Sequence, residues 1–315
     1  MPLHEVYILH EEALPLVYDL TSMNKTRIQI AKPDIVAYLD AHNNHILKLT
    51  EIAAILSKQR AFWRLAQRTN TQQFIKFMSD NGSLKRLDFP FPYRAEIRYI
   101  WGDVPLLEVL LTLKKDAYFS HYTAVRMHGL TEQVPKTIYL NHEQRPQPQN
   151  PHLEQGRIAA AFSRRPRVSQ NSIDFDDVRI CLVNGMYANQ LGVANEQVSY
   201  NGDTKVNVRL TNIERTLIDI TVRPIYSGGV FEVLKAFRLA KDQVSVNGLA
   251  AMLQKLKYVY PYHQAIGYYL ERAGYKPSLL DLLRRFPMDY DFYLANQLGD
   301  TEYNKDWRLY IPRGF

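Results

Sequence analysis

The stretch Asn70-Thr71-Gln72-Gln73-Phe74-Ile75-Lys76-Phe77-Met78-Ser79-Asp80-Asn81-Gly82 decides how the first third of this chain folds. A helix opens at Asn70-Thr71-Gln72-Gln73 and runs through Met78. Phe74, Phe77 and Met78 share one face by i, i+3, i+4 spacing and are expected to pack inward. Gln72, Gln73 and Lys76 are then left on the outer face, and Asn81-Gly82 closes the helix. Downstream, Ser83 to Phe89 and Arg94 to Trp101 read as strands joined by Pro90-Phe91-Pro92-Tyr93. Upstream, Thr50 can cap a short helix, Glu51 to Leu56, that ends near Ser57. Helix, connection, helix, strand, turn, strand is the order of a winged helix-turn-helix, placed here at residues 34–102.

Charge points the same way. Between positions 58 and 98, Lys58, Arg60, Arg64, Arg68, Lys76, Lys85, Arg86, Arg94 and Arg98 face only Asp80, Asp88 and Glu96. That segment holds most of the excess of a chain whose net charge is +7. Phosphate neutralisation by Lys and Arg dominates nucleic-acid affinity, so double-stranded DNA is the expected partner. Gln72 and Gln73 can read adenine edges, and Lys76 can meet phosphate or guanine, with Thr71 beside them. The turn Phe91-Pro92-Tyr93-Arg94 would form the wing tip, placing Tyr93 and Arg94 near the backbone or minor groove. The segment Lys58 to Arg68 carries four cations around Trp63 and is longer than an ordinary helix-turn-helix turn. A second arrangement is open: Ser57 can cap a recognition helix that starts there, making Lys58, Gln59 and Arg60 the groove-facing residues.

Around this unit the chain reads as a globular protein. With 46% hydrophobic and 23% charged residues, disorder is excluded. No apolar run approaches the ~20 residues of a membrane helix, and Glu5, Glu11, Glu12 and Asp19 interrupt the start too early for an export signal. A cytoplasmic location without membrane contact is expected. Residues 1–33 form a lead-in, with a helix around Glu11 to Leu20 and a strand at Arg27 to Ile30. Pro33 then opens a helix, Asp34 to Ala41. The domain boundary falls near Gly102-Asp103, and Pro105 begins a helix, Leu106 to Lys114, apolar enough to dock two domains together. Residues 103–315 alternate in character. A helix runs from Ser120 through His128 to Gly129, and a strand from Thr137 to Asn141. A polar, exposed loop covers 142–152. Strands follow at 178–184, 191–200 and 204–210, with a hairpin turn at 201–203. Helices then dominate, at 211–221, 230–241, 246–257, 263–273 and 277–286. The class is α+β, a winged N-terminal domain followed by a larger mixed domain with a helical C-terminal part.

Residues with chemical potential are weighed against plainer roles. Ser120 and His121 suggest nucleophile and base, but no strand-turn-helix elbow is evident and Ser120 makes a good helix cap. His121 and His128 are seven apart, and no third ligand accompanies them, so neither a metal site nor a cofactor is expected. Asp174-Phe175-Asp176-Asp177 reads as an acidic turn. A metal-dependent nucleic-acid enzyme using Asp174, Asp176 and Asp177 is the competing function, and no catalytic residue is otherwise assigned. Arg164-Arg165-Pro166-Arg167 is a basic patch, either solvated or a contact for an acidic partner. In Thr211-Asn212-Ile213-Glu214-Arg215-Thr216-Leu217-Ile218-Asp219, Arg215 can pair with Asp219 four residues on or serve that same partner surface. Cys181, the single cysteine, lies in a buried-strand pattern, Val178 to Val183.

Several of these stretches resemble the AbiEi family of antitoxins, the DNA-binding halves of type IV toxin–antitoxin systems. They are Tyr118-Phe119-Ser120-His121-Tyr122-Thr123-Ala124, His128-Gly129-Leu130-Thr131 with Pro135, Thr211 to Asp219, Pro224 with Gly228-Gly229, and Tyr262-His263-Gln264-Ala265-Ile266-Gly267-Tyr268-Tyr269-Leu270-Glu271. The likeness covers roughly residues 34–275. It implies a winged domain that represses its own operon at its own promoter, and a C-terminal domain with antitoxin activity and no catalysis. The partner it implies is a nucleotidyltransferase toxin encoded alongside, countered directly or without a stable complex. A solo regulator of similar sequence would lack that toxin.

Overall fold

The computed structural model describes residues 25–148, 152–199 and 205–315. The expected helix at Glu11 to Leu20 and the turn at 201–203 lie outside the described residues. Ile28, Ala31, Ile35 and Leu39 recur every three or four residues, and one helix, α1 (Arg27–Asp40), turns them onto a single buried face. The strand expected at Arg27 to Ile30 and the helix start at Pro33 are both corrected by this. Gln29 fixes the start by accepting the Thr26 N–H at 2.7 Å. Pro33 lies inside the helix, where it forgoes one hydrogen bond to the preceding turn.

A short strand, β1 (Ile46–Leu47), leads into α2 (Leu49–Gln59). The Glu51 carboxylate accepts the Lys48 N–H at 2.6 Å, so the helix opens before Thr50 and runs past Ser57. Neither residue caps it, and a separate helix starting at Ser57 is ruled out. Next come α3 (Thr71–Asn81), β2 (Leu84–Phe89) and β3 (Glu96–Trp101), in the order expected. The three strands form an antiparallel sheet ordered β1-β3-β2, with Ile46 opposite Ile100 and Leu84 opposite Trp101. Within α3 the buried side chains are Phe74, Ile75 and Met78, while Phe77 is only partly covered.

Strand β3 serves two cores. Tyr99 and Trp101 face Ile35, Trp63, Phe74 and Met78. Ile100 instead joins Phe89, Phe91 and the next helix, α4 (Leu106–Leu111), in a cluster that continues into the following sheet through Phe119, Leu140 and Val208. Phe89 stacks on Phe175 with ring centroids 5.0 Å apart. Helix α4 docks the two halves as expected, although it stops at Leu111.

The following sheet is built from β4 (Tyr118–Phe119), β5 (Thr137–Glu143), β6 (Ser172–Phe175), β7 (Val178–Gly185), β8 (Val193–Ser199) and β9 (Lys205–Thr211), in the order β6-β7-β5-β4-β9-β8. β5 lies parallel to β7 and β4 to β9, and the other neighbours are antiparallel. Its connections include α5 (His121–Met127) and α6 (Gln155–Phe162). β5 reaches Glu143, so His142 and Glu143 belong to a strand, and residues 144–148 form the exposed loop. Cys181 is buried in β7.

A helical layer follows: α7 (Ile213–Val222), a 3-10 turn at Pro224–Ser227, α8 (Val230–Leu239), α9 (Val246–Leu256), α10 (Tyr262–Arg272) and α11 (Pro277–Arg284). Each lies within about two residues of its expected span, α7 beginning later because β9 takes Thr211. A small sheet that the sequence reading lacked, β10 (Phe292–Tyr293), β11 (Thr301–Asn304) and β12 (Leu309–Pro312), closes over α10. Trp307 is fully buried there, and a Cβ on Gly267 would stand 2.1 Å from its ring. The protein is α+β. Among the described residues no helix is long and apolar enough to cross a membrane.

Candidate nucleic-acid interface

Helix α3 begins with a reciprocal cap. Asn70 Oδ1 accepts the Gln73 N–H at 2.9 Å, and Gln73 Oε1 accepts the Asn70 N–H at 3.0 Å. Gln73 therefore keeps its amide NH2 available for a ligand, with its oxygen already engaged in the cap. Gln72 is exposed beside it, with Thr71 half-buried. Lys76 is exposed but bonded to Asp80 at 2.8 Å, an i, i+4 pair.

The long connection between α2 and α3 is tied down from inside. Trp63 is buried, edge-on to Tyr38 at 5.5 Å and stacked on Phe74 at 5.9 Å. The Arg60 guanidinium donates to the carbonyls of Ala66 at 2.6 Å and Thr69 at 2.9 Å, stapling the loop across its width. Those bonds commit much of Arg60 to the fold. Lys58, Arg64 and Arg68 are exposed and form no ion pair with any described residue, while Gln59 is half-buried. Arg60 and Arg64 line one shallow depression with Arg27, Ser57 and Gln67, and no carboxylate of the described residues lines it. Arg27 is not among the expected contacts, because its segment reads as a strand in sequence and the start of α1 brings it here.

The hairpin is different. Lys85 binds Asp103 at 2.7 Å, Arg86 binds Asp88 at 2.7 Å, and Arg94 lies 3.8 Å from Glu96. Arg98 is not a surface residue and is corrected as a DNA contact. It is 2% exposed and donates to Thr112 Oγ1 at 2.9 Å, the Thr112 carbonyl at 2.7 Å and Glu96 at 3.3 Å. Burial would raise the Glu96 carboxyl, but Lys114 at 2.9 Å and Arg98 outweigh it and hold it below its ordinary range. At the turn, Phe91 is buried against the second half of the chain, and Tyr93 and Arg94 stand exposed beside it.

Among the other candidates, a strand-to-helix turn does surround Ser120, contrary to expectation. It lies between β4 and α5, with His121 at φ +52°. The Ser120 hydroxyl makes no helix-capping bond. It is hydrogen-bonded to His121 Nδ1 at 2.8 Å. Burial pushes His121 down to about 4. His128 bonds the Thr211 carbonyl through Nε2 at 2.6 Å. Asp174 pairs with Arg179 at 2.8 Å, and Asp176 occupies the β6–β7 turn at φ +48°. Arg164, Arg165 and Arg167 are exposed.

Arg215 does not share that surface. α7 is buried from Arg215 to Thr221, and Arg215 bonds Asp219 at 2.8 Å and the Leu191 carbonyl at 2.6 Å. Burial opposes its charge, yet Asp219 raises the guanidinium further above its ordinary value.

No protein-family model and no curated protein sequence matches this chain. Among solved structures, the RV2827C protein from Mycobacterium tuberculosis is similar over 90% of this chain and 91% of that chain. The TM-score is 0.57 and the identity 13%, a likeness of fold alone.

Proposed function

We propose that the protein is a DNA-binding antitoxin of the type IV kind, which represses its own operon and counteracts a nucleotidyltransferase toxin. In this reading the unit from α1 to β3 is a winged helix. The observation that carries DNA binding is the set of exposed cations Lys58, at the end of α2, and Arg64 and Arg68, on the connection that leads into α3, which form no ion pair with any described residue. Unpaired cations give up only water and counterions on meeting phosphate, whereas paired ones must first lose a carboxylate. α3 would enter the major groove with Gln72 and Thr71 at base edges, and the connection would lie along the phosphates. Tyr93 would reach the backbone beside it. The antitoxin part rests on the AbiEi-like stretches, and a cytoplasmic location follows from it.

The test is fluorescence anisotropy with DNA from upstream of the gene against a scrambled duplex of equal length. Selective binding that persists at near-physiological salt is the expected result. Equal, salt-sensitive binding to both duplexes would overturn operator recognition. Co-expression with the neighbouring gene product then tests the antitoxin reading, which predicts relief of growth arrest.

A further inference from the structure

Five cations from four separate segments surround one cleft of about 800 Å³ in the second half of the chain. Arg145 follows β5, Arg167 follows α6, Arg223 ends α7, and Lys255 and Lys257 end α9. All five are exposed, and none forms an ion pair with a described residue. Asp219 is the carboxylate in the lining, and Arg215 already neutralises it at 2.8 Å. A concave surface that gathers like charges around low-dielectric walls concentrates anions.

The floor asks for more than charge. Asn141 is 4% exposed and lines the cleft. Its amide donates to the Tyr118 hydroxyl, but its carbonyl oxygen has no donor among the described residues. Gly185 leaves the room it occupies, since a Cβ there would stand 2.6 Å from that oxygen. A buried acceptor without a donor is costly, and a ligand hydroxyl or amino group would satisfy it. Tyr258, Tyr260 and Tyr262 form an aromatic wall whose hydroxyls bond no described residue. Phosphate-binding cations, an unmet acceptor for a hydroxyl or amine, and aromatic rings together describe a nucleotide. An inorganic anion would leave the acceptor unmet, and an acidic peptide would leave the aromatic wall little used.

We propose that this cleft binds nucleotide units, with phosphates at Arg167, Arg223 and Lys257 and a ribose hydroxyl or base amine on Asn141. The source is either a free nucleoside triphosphate or single-stranded RNA. The site is separate from the α2–α3 connection and stands whether or not that connection binds DNA.

Anisotropy of the full chain with methylanthraniloyl-ATP and with a fluorescein-labelled 12-nucleotide oligouridine, both at low salt, tests it. At least one probe should bind. Arg223→Glu with Lys257→Glu should weaken it at least tenfold without moving the melting temperature, since both residues are exposed. Arg64→Ala with Arg68→Ala should leave this binding unchanged, and inorganic tripolyphosphate should compete at least tenfold less well than ATP. RNA displaced by micromolar ATP assigns the free nucleotide, and RNA that ATP does not displace assigns the strand. Binding of neither probe, or undiminished binding by the Arg223/Lys257 variant, would overturn the proposal. Equal competition by tripolyphosphate would also overturn it, because the cleft would then read charge alone.

Discussion

The stretch from the last turn of α2 through the α2–α3 connection, and the β2–β3 hairpin, carry four cations each, yet their roles differ. In the hairpin region Lys85, Arg86, Arg94 and Arg98 each have a carboxylate within 4.0 Å. In the other stretch, Arg60 is absorbed by carbonyls, and Lys58, Arg64 and Arg68 are left without partners among the described residues. Equal composition therefore gives opposite availability. A segment's net charge indicates that an interface is present, and the pairing of its side chains locates it.

Breaking the hairpin side of this comparison should cost the fold most at Arg98. Arg98→Ala leaves Glu96 and the Thr112 carbonyl short of a donor, and should lower stability by about 3–5 kcal/mol in urea unfolding. A loss near zero would mean that Arg98 is not the tie between β3 and the segment after α4.

Acid should separate folding from binding. Burial holds His121 and His263 down to about 4, so both are neutral when folded and titrate near their ordinary value of about 6.5 when unfolded. Their contribution is intact above pH 6.5 and is lost as pH falls toward 4, about 2 kcal/mol each by pH 5. Urea midpoints should therefore fall between pH 7 and 5, while the salt dependence of DNA binding by folded protein holds. A flat stability profile would contradict the burial of these rings.

The smallest effect is expected at the hairpin surface. Lys85→Ala with Arg86→Ala removes two exposed ion pairs and should leave the urea midpoint indistinguishable from wild type. A clear drop would show that those pairs hold the hairpin.

Much of this architecture was legible in the sequence. Asn70 and Gly82 bracket α3, and turn residues separate β2 from β3. Arg98 was not legible. It alternates with Tyr99 and Trp101, which reads as a solvent-facing position, but the second half of the chain covers that face with α4 and Thr112. Pro33 looks like the start of α1, whereas Gln29 supplies the start nearly two turns earlier. Strands of two to four residues, β4, β6 and β10 to β12, are too short for periodicity to register. The cleft was invisible for a different reason: Arg145, Arg167, Arg223 and Lys257 meet only in three dimensions. Sequence alone groups Arg215 with Arg164, Arg165 and Arg167, whereas folding leaves Arg167 exposed at the cleft and buries Arg215 in its lining.

The most direct test of the comparison is a set of salt titrations on the upstream duplex with wild type, Arg64→Ala/Arg68→Ala and Lys85→Ala/Arg86→Ala. The account predicts that the connection variant loses at least tenfold in affinity and flattens the slope of log K against log salt by about two. The hairpin variant should keep both affinity and slope. Equal losses in the two variants, or a loss confined to the hairpin, would contradict the claim that pairing decides which cations meet DNA.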